Sequence, residues 1–141
     1  MPYLQDKDLS CYDINLNVSI KTPTMKGNEW DVISKSNMKY LYYSVSQTIA
    51  HHTVTGCNLN TGDLLGSGTI SSTEKDGFGS MVELCWGGKE TIKLSNGEER
   101  KFLVDGDEIK LSGTCKGNGF VIGFGECKGK VLPCLNDSEF F

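Results

Sequence analysis

The sequence predicts a mainly β domain with one helix, an α+β fold. Three observations carry that expectation. Residues 13–21 alternate strictly between polar and apolar. From Asp63 onward the chain is glycine-rich and punctuated by hairpin signals. Only one stretch, residues 38–54, repeats apolar residues at helical spacing.

In order along the chain, residues 1–12 read as an irregular lead-in. Ile14, Leu16, Val18 and Ile20 then fall on one side and Asn15, Asn17, Ser19 and Lys21 on the other, as a half-buried strand requires. Pro23 and Gly27 punctuate a loop. In 38–54, Leu41, Val45, Ile49 and His52 recur at three and four residues and define one helix face. Tyr40, Tyr42 and Tyr43 favour an extended entry before it, and Gly56 is placed for a left-handed cap. Apolar segments at Leu64-Leu65, 81–86, 101–104, 108–111 and 119–124 read as β-like. Asn96-Gly97 marks a hairpin turn, predicted as type I′, and Asp105-Gly106-Asp107 a second turn.

The chain has 141 residues, enough for one domain. Its net charge is -4, and its lysines and arginines are scattered rather than blocked. A polyanion needs a basic footprint, so no nucleic acid is expected as a partner. No apolar run is long enough to span a bilayer and residues 1–13 carry no apolar signal region, so a soluble intracellular protein and no membrane association are expected. Six cysteines invite a disulfide framework, with a secreted three-disulfide module as the corresponding reading. No pair is spaced C-x-x-C and the expected compartment is reducing, so free thiols are the expectation.

Several residues invite chemistry. His51 and His52 are the only histidines; adjacent helical residues diverge by roughly 100°, so both cannot face one metal. They read better as helix-end side chains satisfied by local contacts. Gly66-Ser67-Gly68-Thr69 lacks the lysine and the following helix of a phosphate loop. Its glycines suit a close backbone approach, leaving Thr69 as a hydrogen-bond donor in a tight pocket. Glu83 sits in the apolar run Met81-Val82-Glu83-Leu84-Cys85-Trp86. Directed inward it is a buried carboxylate and a functional candidate; alternating outward with Met81 and Cys85 it is merely solvated. Asp105, Asp107 and Glu108 surround a glycine and read as turn residues before they read as a cation site.

Longer blocks carry more. Lys35-Ser36-Asn37-Met38-Lys39-Tyr40, His51-His52-Thr53-Val54-Thr55-Gly56-Cys57-Asn58-Leu59 and Gly62-Asp63-Leu64-Leu65-Gly66-Ser67-Gly68-Thr69-Ile70-Ser71 follow one another. After them come Phe78-Gly79-Ser80-Met81-Val82-Glu83-Leu84, then 100–108 and 123–133. In this order the chain resembles the fumarylacetoacetate hydrolase family, the fumarylacetoacetases, from about Pro2 to Pro133. The resemblance implies part of the mixed β-roll of that family's C-terminal catalytic domain over residues 1–135, with 136–141 a tail without counterpart. It implies hydrolysis of a carbon–carbon bond in a small-molecule substrate, fumarylacetoacetate, to fumarate and acetoacetate in tyrosine and phenylalanine breakdown. Magnesium or calcium would hold the diketone, and a histidine oriented by a glutamate would activate water. The family's catalytic glutamate falls on Glu83 and its substrate-binding threonine on Thr69. His51 and His52 do not match the catalytic histidine. That histidine, the metal-binding carboxylates and further substrate-holding residues precede the matched region, so no metal ligand is expected in this chain and no activity from it alone. A cytoplasmic homodimer is the implied parent, and a non-catalytic module that binds a full-length subunit is the other function to weigh.

Overall fold

In the computed structural model, which describes residues 1–7 and 11–136, the main body is a four-stranded antiparallel sheet. Its strands are β1 (Asn15–Lys21), β2 (Asp31–Asn37), β5 (Glu108–Gly117) and β6 (Phe120–Lys130), in the order β2-β1-β5-β6. The short strands β3 (Ile92–Lys93) and β4 (Glu99–Arg100) form a separate hairpin. The helices are α1 (Val45–Thr53) and the single turn α2 (Met81–Leu84). Of the expected tail, residues 137–141 lie outside the described residues.

The alternation of β1 becomes two sheet faces. Ile20 pairs with Ile109, Val18 with Leu111 and Leu16 with Gly113, so the apolar side chains of β1 and β5 share one face. On the other face Lys21 pairs with Glu108 and Ser19 with Lys110. There Trp30 receives the ammonium groups of Lys110, Lys128 and Lys21 at 4.8, 5.1 and 6.0 Å from its ring centroid. The buried core is small: Ile20, Met25 and Leu94, with Ile33, Ile92 and Ile109 packed against them.

One ion pair joins the core to the hairpin. Asp107 is fully buried, and Arg100 grips both its oxygens, Nε to Oδ2 at 3.0 Å and Nη2 to Oδ1 at 3.1 Å. The Val104 N–H also donates to Asp107 Oδ2 at 3.1 Å, and Arg100 Nη2 meets Glu98 Oε2 at 2.6 Å. Glu98 in turn accepts a hydrogen bond from Thr24. The expected turn at Asp105-Gly106-Asp107 is present, closed from Asp107 N–H to Val104 C=O. Its acidic residues serve separate partners, since Glu108 pairs with Lys128 at 2.9 Å.

Four expectations are corrected. The helix does not begin at Met38: a 3-10 turn occupies Met38–Tyr40, and α1 starts after Ser44. Ser44 Oγ accepts the Gln47 N–H while Gln47 Oε1 accepts the Ser44 N–H, a reciprocal cap that places the start. Residues 81–86 are not β-like. Ser80 Oγ accepts the Glu83 N–H and nucleates α2 instead. The Asn96-Gly97 hairpin forms, but not with a type I′ turn. Gly97 alone takes a positive φ, and Gly97 N–H closes on Leu94 C=O while Leu94 N–H bonds Glu98 C=O, a turn with a glycine bulge. Finally, Leu64-Leu65 and 101–104 are irregular. The Val104 N–H is taken by the Asp107 side chain rather than by a neighbouring strand.

Much apolar surface stays open. The accessible area is 10302 Å², about 40% above the roughly 7,200 Å² of a compact monomer of this mass. No residue of α1 is buried, every residue of β6 is exposed, and β2 and β6 are sheet edges. Among the described residues no helix is long and apolar enough to cross a membrane.

Two stability predictions follow from these contacts. Asp107→Asn breaks a buried bidentate pair and is expected to lower unfolding stability by about 3 kcal/mol, read by urea denaturation. Glu108, held below its ordinary 4.5 by the Lys128 hydrogen bond, gives the second. A carboxyl with a depressed folded pKa stabilises above its unfolded value and loses that contribution as pH falls through the folded one. The stability difference between the protein and Glu108→Gln, read as melting temperature, is therefore expected at pH 7 and to vanish as pH drops below 4.5.

Candidate active-site cleft

Thr69 and Glu83 reach their places through a loop folded back on the sheet. Ser34 of β2 donates through Oγ to the Phe78 carbonyl at 2.7 Å, tethering the segment before α2 to the apolar sheet face. Gly79 there runs against Ile70; a Cβ on it would lie 2.7 Å from the Ile70 nitrogen, so only glycine allows the two chains this close. Between them and the sheet lies an open cleft of about 500 Å³, floored by Leu16, Val18, Ser34 and Leu111 and walled by Thr69 and Gly79. Thr69 is exposed at this wall. The tight pocket expected of it is in fact an open one, because nothing in the described chain covers the 64–69 segment.

Glu83 is exposed and sits on a helical turn rather than in an alternating strand. It is nonetheless not a freely solvated side chain. Ser71 Oγ donates to both of its oxygens, each at 2.9 Å, and Ser80 Oγ donates to Oε2 at 3.0 Å. Gly79, at the cleft wall, donates its N–H to Ser71 Oγ at 3.0 Å. Thr69 and Glu83 are thus joined through Gly79 and the residues beside it. The holders, Ser71 and Ser80, were not singled out from sequence; the Ser80-x-x-Glu83 spacing of a helix cap was the available signal.

The remaining candidates go elsewhere. His51 stacks on Tyr3 with centroids 6.2 Å apart, and its Nδ1 lies 3.1 Å from the Tyr3 hydroxyl. His52 Nε2 lies 3.3 Å from Cys57 Sγ. Both histidines are satisfied near the helix end, as expected, and neither lines the cleft. All six cysteines are free. Among the described residues no group of three or more His, Cys, Asp or Glu side chains could hold a metal ion.

The sheet face thus carries an open cleft walled by Thr69, with the serine-held carboxylate of Glu83 on the loop that continues from that wall. Comparison with known proteins gives the class. Residues 4–132 match the family model described as fumarylacetoacetate (FAA) hydrolase C-terminal, and the chain belongs to that family. It is similar to proteins named fumarylacetoacetase: 53% identical to that of Dictyostelium discoideum over 94% of the chain, and 52% identical to that of Homo sapiens over 96%. The Caenorhabditis elegans protein of the same name is 53% identical over 93%. The chain spans only 31–32% of the length of these relatives.

Proposed function

We propose that this chain is the C-terminal part, over residues 1–135, of a fumarylacetoacetase catalytic domain, whose enzyme hydrolyses the carbon–carbon bond of fumarylacetoacetate to fumarate and acetoacetate. The observation that carries this reading is near-continuous identity of about half to relatives of that name. In this reading Thr69 hydrogen-bonds a substrate oxygen from the cleft wall. Glu83 accepts the N–H of a histidine outside this chain, fixing which imidazole nitrogen is free to take a proton from water. A magnesium or calcium ion belongs to the proposed enzyme, but among the described residues no cluster of His, Cys, Asp or Glu fits its site. Its ligands lie on other parts of the enzyme. A cytoplasmic homodimer completes the proposal.

A second reading has its own support. The excess of exposed apolar surface suits a non-catalytic piece that binds a full-length subunit.

In the complete native enzyme, Glu83→Gln is expected to lower kcat about 100-fold, and Thr69→Ala to raise KM about tenfold with a smaller change in kcat. Steady-state hydrolysis of fumarylacetoacetate measures both, and full activity in Glu83→Gln overturns the assignment. An immunoblot of source tissue separates the two readings. A band well above 15.5 kDa means that the chain is the end of the enzyme, whereas a band at that size that co-purifies with a full-length subunit favours the interaction piece.

A further inference from the structure

Glu83 is held by two hydroxyls whose proton directions are both determined by the backbone. Ser71 Oγ already accepts the N–H of Gly79 at 3.0 Å, and Ser80 Oγ already accepts the N–H of Glu83 at 3.3 Å. A serine hydroxyl has a single proton. With an amide N–H directed at each oxygen, each proton turns toward the carboxylate. Ser71 shares its proton between Oε1 and Oε2 at 2.9 Å each, and Ser80 gives its own to Oε2 at 3.0 Å.

We infer that Ser71 and Ser80 are positioning residues for the proposed reaction, and that Oε1 of Glu83 is the oxygen left to receive the N–H of the catalytic base. The inference rests on the reading of Glu83 given above and deepens it. Both hydroxyls arrive as donors, so the arrangement suits an acceptor-only, ionised carboxylate. Oε2 takes Ser80 and a share of Ser71, whereas Oε1 takes only the other share. The plane of the carboxylate is set by Ser71, which spans both oxygens, and its direction along the chain by Ser80.

Ser71 is also the link to the substrate side. Its acceptor bond comes from Gly79, which lines the cleft with Thr69, and Ile70 beside it packs against Gly79. Substrate seated against Thr69 therefore bears on the same short loop that aims Glu83. Ser80 has a second duty as the cap of α2, so Ser71 is the cleaner residue to vary.

The test uses the complete native enzyme carrying Ser71→Ala, Ser71→Thr and, as reference, Glu83→Gln. Ser71→Ala is expected to lower kcat about tenfold with KM within about twofold and an unchanged melting temperature, and Ser71→Thr, which keeps the hydroxyl, to recover most of that loss. A Ser71→Ala enzyme with undiminished kcat, alongside an impaired Glu83→Gln enzyme, overturns the positioning role and leaves the assignment of Glu83 standing. Undiminished kcat in Glu83→Gln overturns both. A crystal structure of Ser71→Ala supplies a readout independent of turnover: a turned carboxylate supports the role, and a carboxylate that keeps its plane and its Ser80 contact overturns it.

Discussion

The bidentate grip of Arg100 on Asp107 is the buried ion pair at the junction of three segments. Asp107 ends the turn that leads into β5, Arg100 lies on the β3–β4 hairpin, and Arg100 Nη2 also reaches Glu98, which accepts a hydrogen bond from Thr24 in the loop between β1 and β2. A fully buried carboxylate is tolerated only because its charge is matched and its oxygens are occupied by two guanidinium donors and a backbone N–H. The main chain of Asp107 is used as well, its carbonyl accepting the Val131 N–H at the exit of β6. The small core of Ile20, Met25 and Leu94 lies among the segments that this junction brings together.

That core is too small to account for the shape of the chain. A sheet whose apolar face is covered for only part of its length, with an outer strand exposed throughout, leaves much apolar surface open among the described residues. The open cleft beside Thr69 has the same origin. Its floor is largely apolar sheet and one wall is a loop, and among the described residues its remaining side is open.

What the chain does supply is an ordered carboxylate. Glu83 is exposed, but solvent exposure and functional order are separate properties. Order here comes from short-range hydrogen bonds: a helix cap that supplies Ser80 and a folded-back loop that supplies Ser71. In the proposed enzyme a carboxylate preset by such contacts would lose little freedom on meeting the base, which is the physical sense of preorganisation. The histidines of the chain take no part, because the end of α1 directs them to Tyr3 and Cys57.

Sequence alone determined the sheet-dominated class, the two faces of β1, the hairpin at Gly97, the turn at Gly106, and the family resemblance that singles out Thr69 and Glu83. These rest on period-two alternation, on the backbone demands of glycine and on long ordered blocks, all of which are local. It misplaced the start of α1 and the form of 81–86, where side-chain caps at Ser44 and Ser80 outweighed apolar pattern. Only the tertiary structure decided that Asp107, besides closing its turn, is a buried anchor, that Ser71 meets Glu83 across twelve residues, and that the cleft lies open. Those outcomes depend on which distant segments share space, and no local period or spacing encodes that.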